Sequence, residues 1–306
     1  NEQHRITGLL QAIVAQTFPL GRIEVIIADG MSSDQTRPQI REFQDRNPSL
    51  RITVIDNPQQ VIPTALNRAI AEAKGEFILR LDAHSAPEPE YIEWCVQDLN
   101  EAKGDNVGGY WVIVPGDDTW IAKSIASAAS NKLGAGDARY RTSGEAGIVE
   151  TVPFGAYRKA TLEGIGGYDE SLLSNEDYDL NHRIMEQGGK VYFDPRIRIQ
   201  YVARSNLREL GKQYWRYGFW KVKMLKKFPG SLRSRQALPP LFVLYLILGA
   251  IISFISSPFK LVFLGSLLLY LLLVILSALP AALKSRDLRM LMGIPLAIMT
   301  MHISWG

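Results

Sequence analysis

Carboxylates recur where this 306-residue chain could do chemistry. Three apolar stretches run straight into acids: Ile23–Ala28 into Asp29-Gly30, Arg51–Ile55 into Asp56-Asn57, and Glu76–Leu81 into Asp82-Ala83-His84. A fourth acidic group, Asn175-Glu176-Asp177-Tyr178-Asp179-Leu180, opens a segment of helical periodicity whose apolar face is Leu180, Ile184 and Met185. Further on, Gln213-Tyr214-Trp215-Arg216-Tyr217 places Gln213, Arg216 and Tyr217 on one face at helical spacing. An aspartate after one strand caps a turn as readily as it binds a ligand. Three of them on one sheet edge point to a ligand, because open α/β sheets bind outside the carboxyl ends of their strands. Acids in the first turn of a helix complement its dipole or act as a base. Arg216 offers a planar donor fork suited to phosphate oxygens.

The elements that must position these residues alternate. Apolar, β-rich runs at Ile23–Ala28, Arg51–Ile55, Glu76–Leu81 and Asn106–Val114 are separated by amphipathic stretches near Asp34–Asp45, Pro63–Ala73 and Glu88–Glu101. That alternation predicts βαβ units and a Rossmann-like, mixed but mostly parallel sheet flanked by helices. Gly30 allows a tight turn after the first of these strands, and Ser33 or Asp34 can cap the helix that follows.

The block Ile26-Ile27-Ala28-Asp29-Gly30-Met31-Ser32-Ser33-Asp34-Gln35-Thr36 resembles the strand–DGSxDxT–helix element of family-2 glycosyltransferases of the GT-A fold. Asn1-Glu2 resembles the tail of the opening PxYNE motif, which would place the family's first strand before Asn1. Pro63–Ile70 with Gly75-Glu76 is similar to "ArNxgixxAxGe", and Gly166-Gly167-Tyr168-Asp169-Glu170 to "GGfDE". Asp82-Ala83-His84-Ser85 and Arg216-Tyr217-Gly218 look like succinoglycan-type exopolysaccharide glucosyltransferases. The resemblance implies that Asp29 contacts the nucleotide base, with Glu2, Asn57 and Asp82 also on the donor side. It implies a divalent metal, Mn²⁺ or Mg²⁺, on Asp82 and His84, His84 standing where the family usually has a second carboxylate. Asp177, beside Glu176, takes the role of the base that deprotonates the acceptor. Gln213 and Arg216, in a segment resembling QxxRW with Tyr217 in place of Trp, meet the diphosphate, while Phe154, Gly155, Ala156 and Tyr217 face the acceptor. Gly134 to Gly147, rich in Gly, Ala, Ser and Arg, reads either as a loop that orders over substrate or as a solvated connection.

The expected reaction is a single displacement, with inversion, from a nucleoside-diphosphate sugar (a UDP-linked hexose) to a saccharide on a polyprenyl diphosphate. Two other readings stay open: a processive polysaccharide synthase, and a catalytically silent assembly subunit that binds the lipid carrier. A transporter fits poorly, since the apolar runs carry no internal charge.

Composition adds the setting. A net charge of +3 does not suggest a nucleic-acid partner, and the basic cluster Lys221, Lys223, Lys226, Lys227, Arg233 and Arg235 abuts an apolar region. The lone Cys95 excludes an intrachain disulfide framework. Residues 238–257 and 261–283 are long enough to span a bilayer, and 290–306 reads as a third apolar segment. Pro239 and Pro240 are expected at the start of the first span, where missing N–H donors cost least. The Lys/Arg flanks put the large domain on the cytoplasmic side of a multi-pass inner-membrane protein. The expected organisation is a catalytic domain over 1–205, an amphipathic interfacial helix and basic linker over 206–236, and membrane helices over 237–306.

Overall fold

A computed structural model describes residues 1–306 apart from Ser143. In chain order the elements are α1 (Ile6–Val14), β1 (Glu24–Asp29), α2 (Thr36–Arg46), β2 (Arg51–Asp56), α3 (Ile62–Glu72), β3 (Phe77–Leu79), β4 (Ser85–Pro87), α4 (Tyr91–Asn100) and β5 (Asn106–Val114). Then come α5 (Trp120–Ala129), α6 (Lys132–Ala135), α7 (Arg139–Thr142), β6 (Gly147–Ile148), β7 (Ala156–Arg158), α8 (Lys159–Gly164), α9 (Glu176–Glu186) and β8 (Val191–Val202). The long helices α10 (Leu207–Lys227), α11 (Ser234–Ser253), α12 (Ser257–Ser285) and α13 (Met290–Trp305) follow. The chain forms two compact units, Asn1–Val112 with Ser143–Tyr201, and Ile113–Thr142 with Val202–Gly306.

The first unit is mixed α/β. β1 and β2 pair in parallel with Asp29 opposite Asp56, the geometry a βαβ crossover imposes. The second sheet runs β3-β7-β5-β8-β4, with β6 on β8, and its β3–β7, β5–β7, β4–β8 and β6–β8 ladders are antiparallel. Backbone N–H groups of Lys74 and Gly75 both donate to Glu24 Oε1 at 2.7 Å, tying the corner before β3 to the start of β1. An apolar cluster of Ile70, Tyr157, Leu162, Tyr168, Leu180 and Ile184 binds α3, β7, α8 and α9 together. Leu180 and Ile184 are therefore the face of α9 that the sequence pattern predicted, and their burial sets which way its first turn points.

The second unit is helical. α13 lies at its centre: Ile294, Ala297, Ile298 and Met301 are buried with Ile125 and Ala128 of α5, Leu210 and Tyr214 of α10, and Val274 and Ala278 of α12. Close approach needs small residues; a Cβ at Gly293 would lie 2.2 Å from Ser124 Oγ, and one at Gly218 would lie 2.5 Å from the Trp305 carbonyl. The face of α13 that carries Ile294, Ala297, Ile298 and Met301 is thus apolar because it is buried. α11 and α12, 20 and 29 residues long, are apolar and mostly turned outward, and are long enough to cross a membrane. Leu241, Leu244, Ile251, Leu261, Leu268 and Leu283 are all at least half exposed, a large apolar surface that calls for lipid or protein cover.

One local expectation is corrected. α11 begins at Ser234, so Pro239 and Pro240 lie inside the helix rather than at its start. Gln236 Oε1 accepts from the Arg233 N–H at 3.2 Å and helps start the helix a turn early. The carbonyl of Gln236, which the missing N–H of Pro240 cannot serve, accepts instead from Trp305 Nε1 at 3.0 Å. The Gly134–Gly147 segment contains the end of α6, all of α7 and the start of β6, with Ser143 lying outside the described residues.

Candidate active site

The residues predicted for chemistry fall into three groups. At the first, β1 ends in Asp29, whose buried Oδ2 accepts from the Ser32 N–H at 2.9 Å and from Arg37 Nε at 2.6 Å. Arg37 reaches across to Asp56 Oδ1 at 2.6 Å, joining the two strand ends. Burial alone would raise the Asp29 carboxyl, but the bonds from Ser32 and Arg37 outweigh it and hold the group below the usual range. Asn57 follows β2; its N–H donates to the Asp29 carbonyl at 2.8 Å and its Nδ2 to the Val61 carbonyl at 3.0 Å. Its side-chain oxygen is buried and has no hydrogen-bond partner among the described residues. The chain start is stitched onto the same loop: Glu2 N–H donates to Thr36 Oγ1 at 2.7 Å and Ser33 N–H to Asn1 Oδ1 at 2.9 Å. Glu2, Asp29 and Asn57 are thus brought to one corner of the unit.

The second group assembles around a residue that the sequence reading passed over. Arg80 follows β3 and is 6% exposed. Its Nε faces Asp82 Oδ1 at 3.3 Å, its second terminal nitrogen donates to Glu176 Oε1 at 3.0 Å, and the first donates to Asp177 Oδ1. Asp82 and Asp177 therefore meet on one guanidinium although they come from different elements. Arg80 is held from behind, its N–H donating to the Gly155 carbonyl at 3.1 Å and its guanidinium carbon lying 6.0 Å from the centroid of the Tyr168 ring. Tyr168 is placed where the Pro63–Ile70 piece meets the Gly166–Glu170 piece. Asn67 of α3 accepts from the Tyr168 N–H at 2.8 Å and donates to the Tyr168 carbonyl and Glu170, both at 2.9 Å. Gly167, at φ 68°, leaves room for Asn67, whose Oδ1 would be 2.6 Å from any Cβ there.

Of the acids that open α9, only Glu176 and Asp177 join Arg80. Asp179 is fully buried and accepts from Arg183 Nε at 2.8 Å, while Arg183 donates onward to the Ile165 and Gly167 carbonyls at 2.9 and 2.7 Å. Asn181, one turn beyond Asp177, accepts from Asn106 at 2.5 Å and donates to Thr151 at 2.9 Å, which anchors the rear of the helix. Loss of hydration pushes the Asp177 carboxyl up to about 7; Glu176 and Asp82 add like-charge repulsion, and Arg80 pulls the other way.

Asp82 and His84 lie in the turn between β3 and β4, closed by Ser85, whose N–H and Oγ donate to the Asp82 carbonyl at 2.9 and 2.7 Å. Both are partly exposed. No cluster of three or more His, Cys, Asp or Glu side chains among the described residues is set to hold an ion, so these two would be the protein's share of a metal shell. Phe154, Gly155 and Ala156 flank Arg80 through the β3–β7 ladder, which pairs Leu79 with Ala156. Phe154 takes φ 47°, its carbonyl accepts from Tyr91 Oη at 2.8 Å, and Ala156 is fully buried. A Cβ at Gly155 would stand 2.3 Å from Asn106 Oδ1, which explains the glycine by packing.

The third group is on α10 in the second unit. Gln213 is buried and donates to Tyr217 Oη at 2.8 Å, and the Tyr217 ring meets Trp305 edge-on at 6.4 Å. Arg216 is exposed. The missed Arg80 had a signal: an arginine inside the apolar run Phe77-Ile78-Leu79-Arg80-Leu81 is a charge that burial forbids without acidic partners.

Known proteins resemble this chain in sequence and in fold. The succinoglycan biosynthesis protein ExoA of Rhizobium meliloti (strain 1021) is 32% identical over 258 residues, 84% of this chain and 76% of that protein. A Methanococcus voltae protein, named as a dolichyl N-acetyl-alpha-D-glucosaminyl phosphate 3-beta-D-2,3-diacetamido-2,3-dideoxy-beta-D-glucuronosyltransferase, is 26% identical over 230 residues, 74% of this chain and 72% of that one. Among solved structures, the mannosyltransferase PcManGT from Pyrobaculum calidifontis, in complex with GDP-Man and Mn²⁺, superposes with a TM-score of 0.67 at 17% identity over 98% of this chain and 84% of its own, which establishes the GT-A fold. The glycosyl transferase family 2 model matches residues 1–166, and with it the chain belongs to glycosyl transferase family 2.

Proposed function

We propose that this enzyme moves a hexose, with inversion, from a nucleoside-diphosphate sugar to a hydroxyl of a saccharide carried on a polyprenyl diphosphate at the cytoplasmic face of a membrane. A uridine-linked donor is the first to test. The observation that carries the reading is the meeting of Asp82, Glu176 and Asp177 on Arg80. A carboxyl raised to about 7 is a better proton acceptor than an ordinary aspartate and is about half ionised at neutral pH. As the acceptor oxygen bonds to the anomeric carbon, its proton passes to Asp177. The bond from that carbon to the diphosphate oxygen breaks, and the nucleoside diphosphate leaves with the electron pair. One displacement at one carbon inverts it.

The donor side is supported by Asp29 and Asn57 at the paired ends of β1 and β2, where the buried Asn57 oxygen is an acceptor held for a ligand N–H. Asp82 and His84 would hold a divalent ion, a carboxylate–imidazole pair that suits Mn²⁺ better than Mg²⁺. The charge balance fits one, since a single guanidinium faces three carboxylates. When bound, such an ion supplies positive charge to the leaving diphosphate. Gln213 and Arg216 as diphosphate ligands, and Phe154, Gly155, Ala156 and Tyr217 on the acceptor side, remain part of the proposal.

A role in exopolysaccharide synthesis is supported by the ExoA relative, and a lipid-linked acceptor by the dolichyl phosphate in the Methanococcus protein's name. The outward apolar faces of α11 and α12, flanked by Lys226, Lys227, Lys284 and Arg286, support the membrane and its cytoplasmic side.

The test is transfer by the purified chain in detergent, with Mn²⁺, a panel of nucleotide sugars and a lipid-diphosphate saccharide. One added sugar of inverted anomeric configuration is expected, and chelation should abolish it. Retained configuration would sink the mechanism, and a long polymer would establish a processive synthase. Absence of any binding or turnover would favour a silent carrier-binding subunit.

A further inference from the structure

Arg80 is the group around which the proposed site is built, yet the roles assigned so far leave it unused. Each of its three nitrogens faces a different carboxylate: Nε faces Asp82 at 3.3 Å, one terminal nitrogen faces Glu176 at 3.0 Å, and the other faces Asp177. With its side chain 6% exposed, it presents no open edge on which to seat a phosphate of its own. Its root is fixed by the Gly155 carbonyl, and the Tyr168 ring lies beside it. Tyr168 is buried in one cluster with Tyr157, whose Oη accepts from Asn106 at 3.1 Å, and Asn106 in turn bonds Asn181 of α9 at 2.5 Å. The guanidinium and the helix that carries Asp177 are thus braced against one buried cluster, backed by the Asn106 hydrogen bonds. A guanidinium is rigid and planar, so its N–H directions set the angle between whatever it binds.

We propose that Arg80 is the positioning residue of the transfer reaction, a template that fixes the base Asp177 relative to the donor-side Asp82. This rests on the reading of Asp177 as base and Asp82 as a donor-side group. Asp82 sits in a strand–strand turn and Asp177 in the first turn of α9, so no shared element holds them in register. Without a cation between them, neighbouring carboxylates repel and turn apart. Misplacing a reacting group by about 1 Å can cost ~10²-fold in rate. Arg80 touches neither substrate in this arrangement; it acts through Asp177.

The experiment compares the full chain in detergent as wild type, Arg80→Lys, Arg80→Met, Asp177→Asn, and Arg80→Met combined with Asp177→Asn, using Mn²⁺, the productive nucleotide sugar and the lipid-linked acceptor. Arg80→Met should lower kcat about 10²-fold while donor KM stays within about threefold. Arg80→Lys keeps the charge without the fork and should lose about tenfold. In the Asp177→Asn background, Arg80→Met should change the residual rate by less than about threefold, because the group it positions is already disabled. A wild-type kcat in Arg80→Met would overturn the proposal. So would equal losses in kcat and donor affinity, or the same fold-loss with and without Asp177. If Arg80→Met does not fold, Arg80→Lys decides alone, since full turnover with a lysine rules out a three-carboxylate template. A wild-type chain that turns over no donor overturns the transferase reading and this proposal together, whereas wild-type turnover with indifferent Arg80 variants overturns the positioning role only.

Discussion

Arg37 and Arg80 each gather acids of the candidate site, and they do so with opposite results. Arg37, 30% exposed, spans Asp29 and Asp56, and Asp56 is itself 58% exposed. Arg80, 6% exposed, holds Asp82, Glu176 and Asp177. Where one guanidinium meets two carboxylates, the bonds from Ser32 and Arg37 overcome burial and Asp29 stays below the usual carboxylate range. Where one guanidinium must serve three, loss of hydration dominates, like charges add to it, and Asp177 rises to about 7. The first arrangement makes a permanently charged acceptor, suited to recognising N–H groups. The second makes a carboxylate able to take a proton and give it up again.

The sharpest way to break this contrast is to neutralise Asp177. Asp177→Asn should lower transfer about 10³-fold while leaving donor affinity within a few-fold, measured by kcat for transfer and by nucleotide-sugar binding. Turnover near wild type would remove Asp177 as the base and erase the distinction between the two groups.

The pH dependence comes next. If Asp177 must be ionised to accept the acceptor's proton, kcat should rise about tenfold per pH unit below pH 7 and flatten above it. Stability runs the other way. A carboxyl with a raised native pKa favours folding most below its unfolded value of 3.8, and that contribution is lost as pH climbs through about 7. For Asp29, held low, the favourable contribution is present above 3.8 and is lost as pH falls through its depressed native value. Thermal melts of wild type and Asp177→Asn between pH 5 and pH 8 check this. The wild type should lose stability relative to the variant as pH rises, and parallel curves would contradict the raised carboxyl.

Much of this was legible in the sequence, for physical reasons that also mark where it stopped. β5 ran from Asn106 to Val114 as its β-rich pattern predicted, and α9 began at Glu176 with Leu180 and Ile184 inward, because periodicity reports burial directly. The pairing of Asn67 with the Gly167-Tyr168 loop was not legible: two motif pieces about a hundred residues apart do not announce that one amide bonds the other's backbone. Arg80 was absorbed into an apolar strand because a single charge barely changes a run's hydropathy, although its burial had to be compensated somewhere. The start of α11 was misplaced because two prolines normally mark a helix beginning, whereas here the bond from Trp305 to the Gln236 carbonyl replaces the donor that Pro240 lacks.

The mildest perturbation tests whether the two arginine-held groups are separable at all. Arg37→Gln removes the cation from Asp29 and Asp56 but leaves the Ser32 N–H on Asp29. Arg37 itself is partly exposed and the Ser32 bond still holds Asp29, so donor KM should rise about threefold with kcat within about twofold. Because one of the bonds that depresses Asp29 is gone, its carboxyl should titrate higher than in the wild type. The rise in KM should therefore grow as pH is lowered toward 5, and steady-state kinetics at pH 5 and pH 8 resolve it. A fall in kcat as large as that expected for Arg80→Met would mean that the sheet-edge acids and the Arg80 cluster act as one electrostatic unit, and the division of labour between recognition and proton transfer would have to be redrawn.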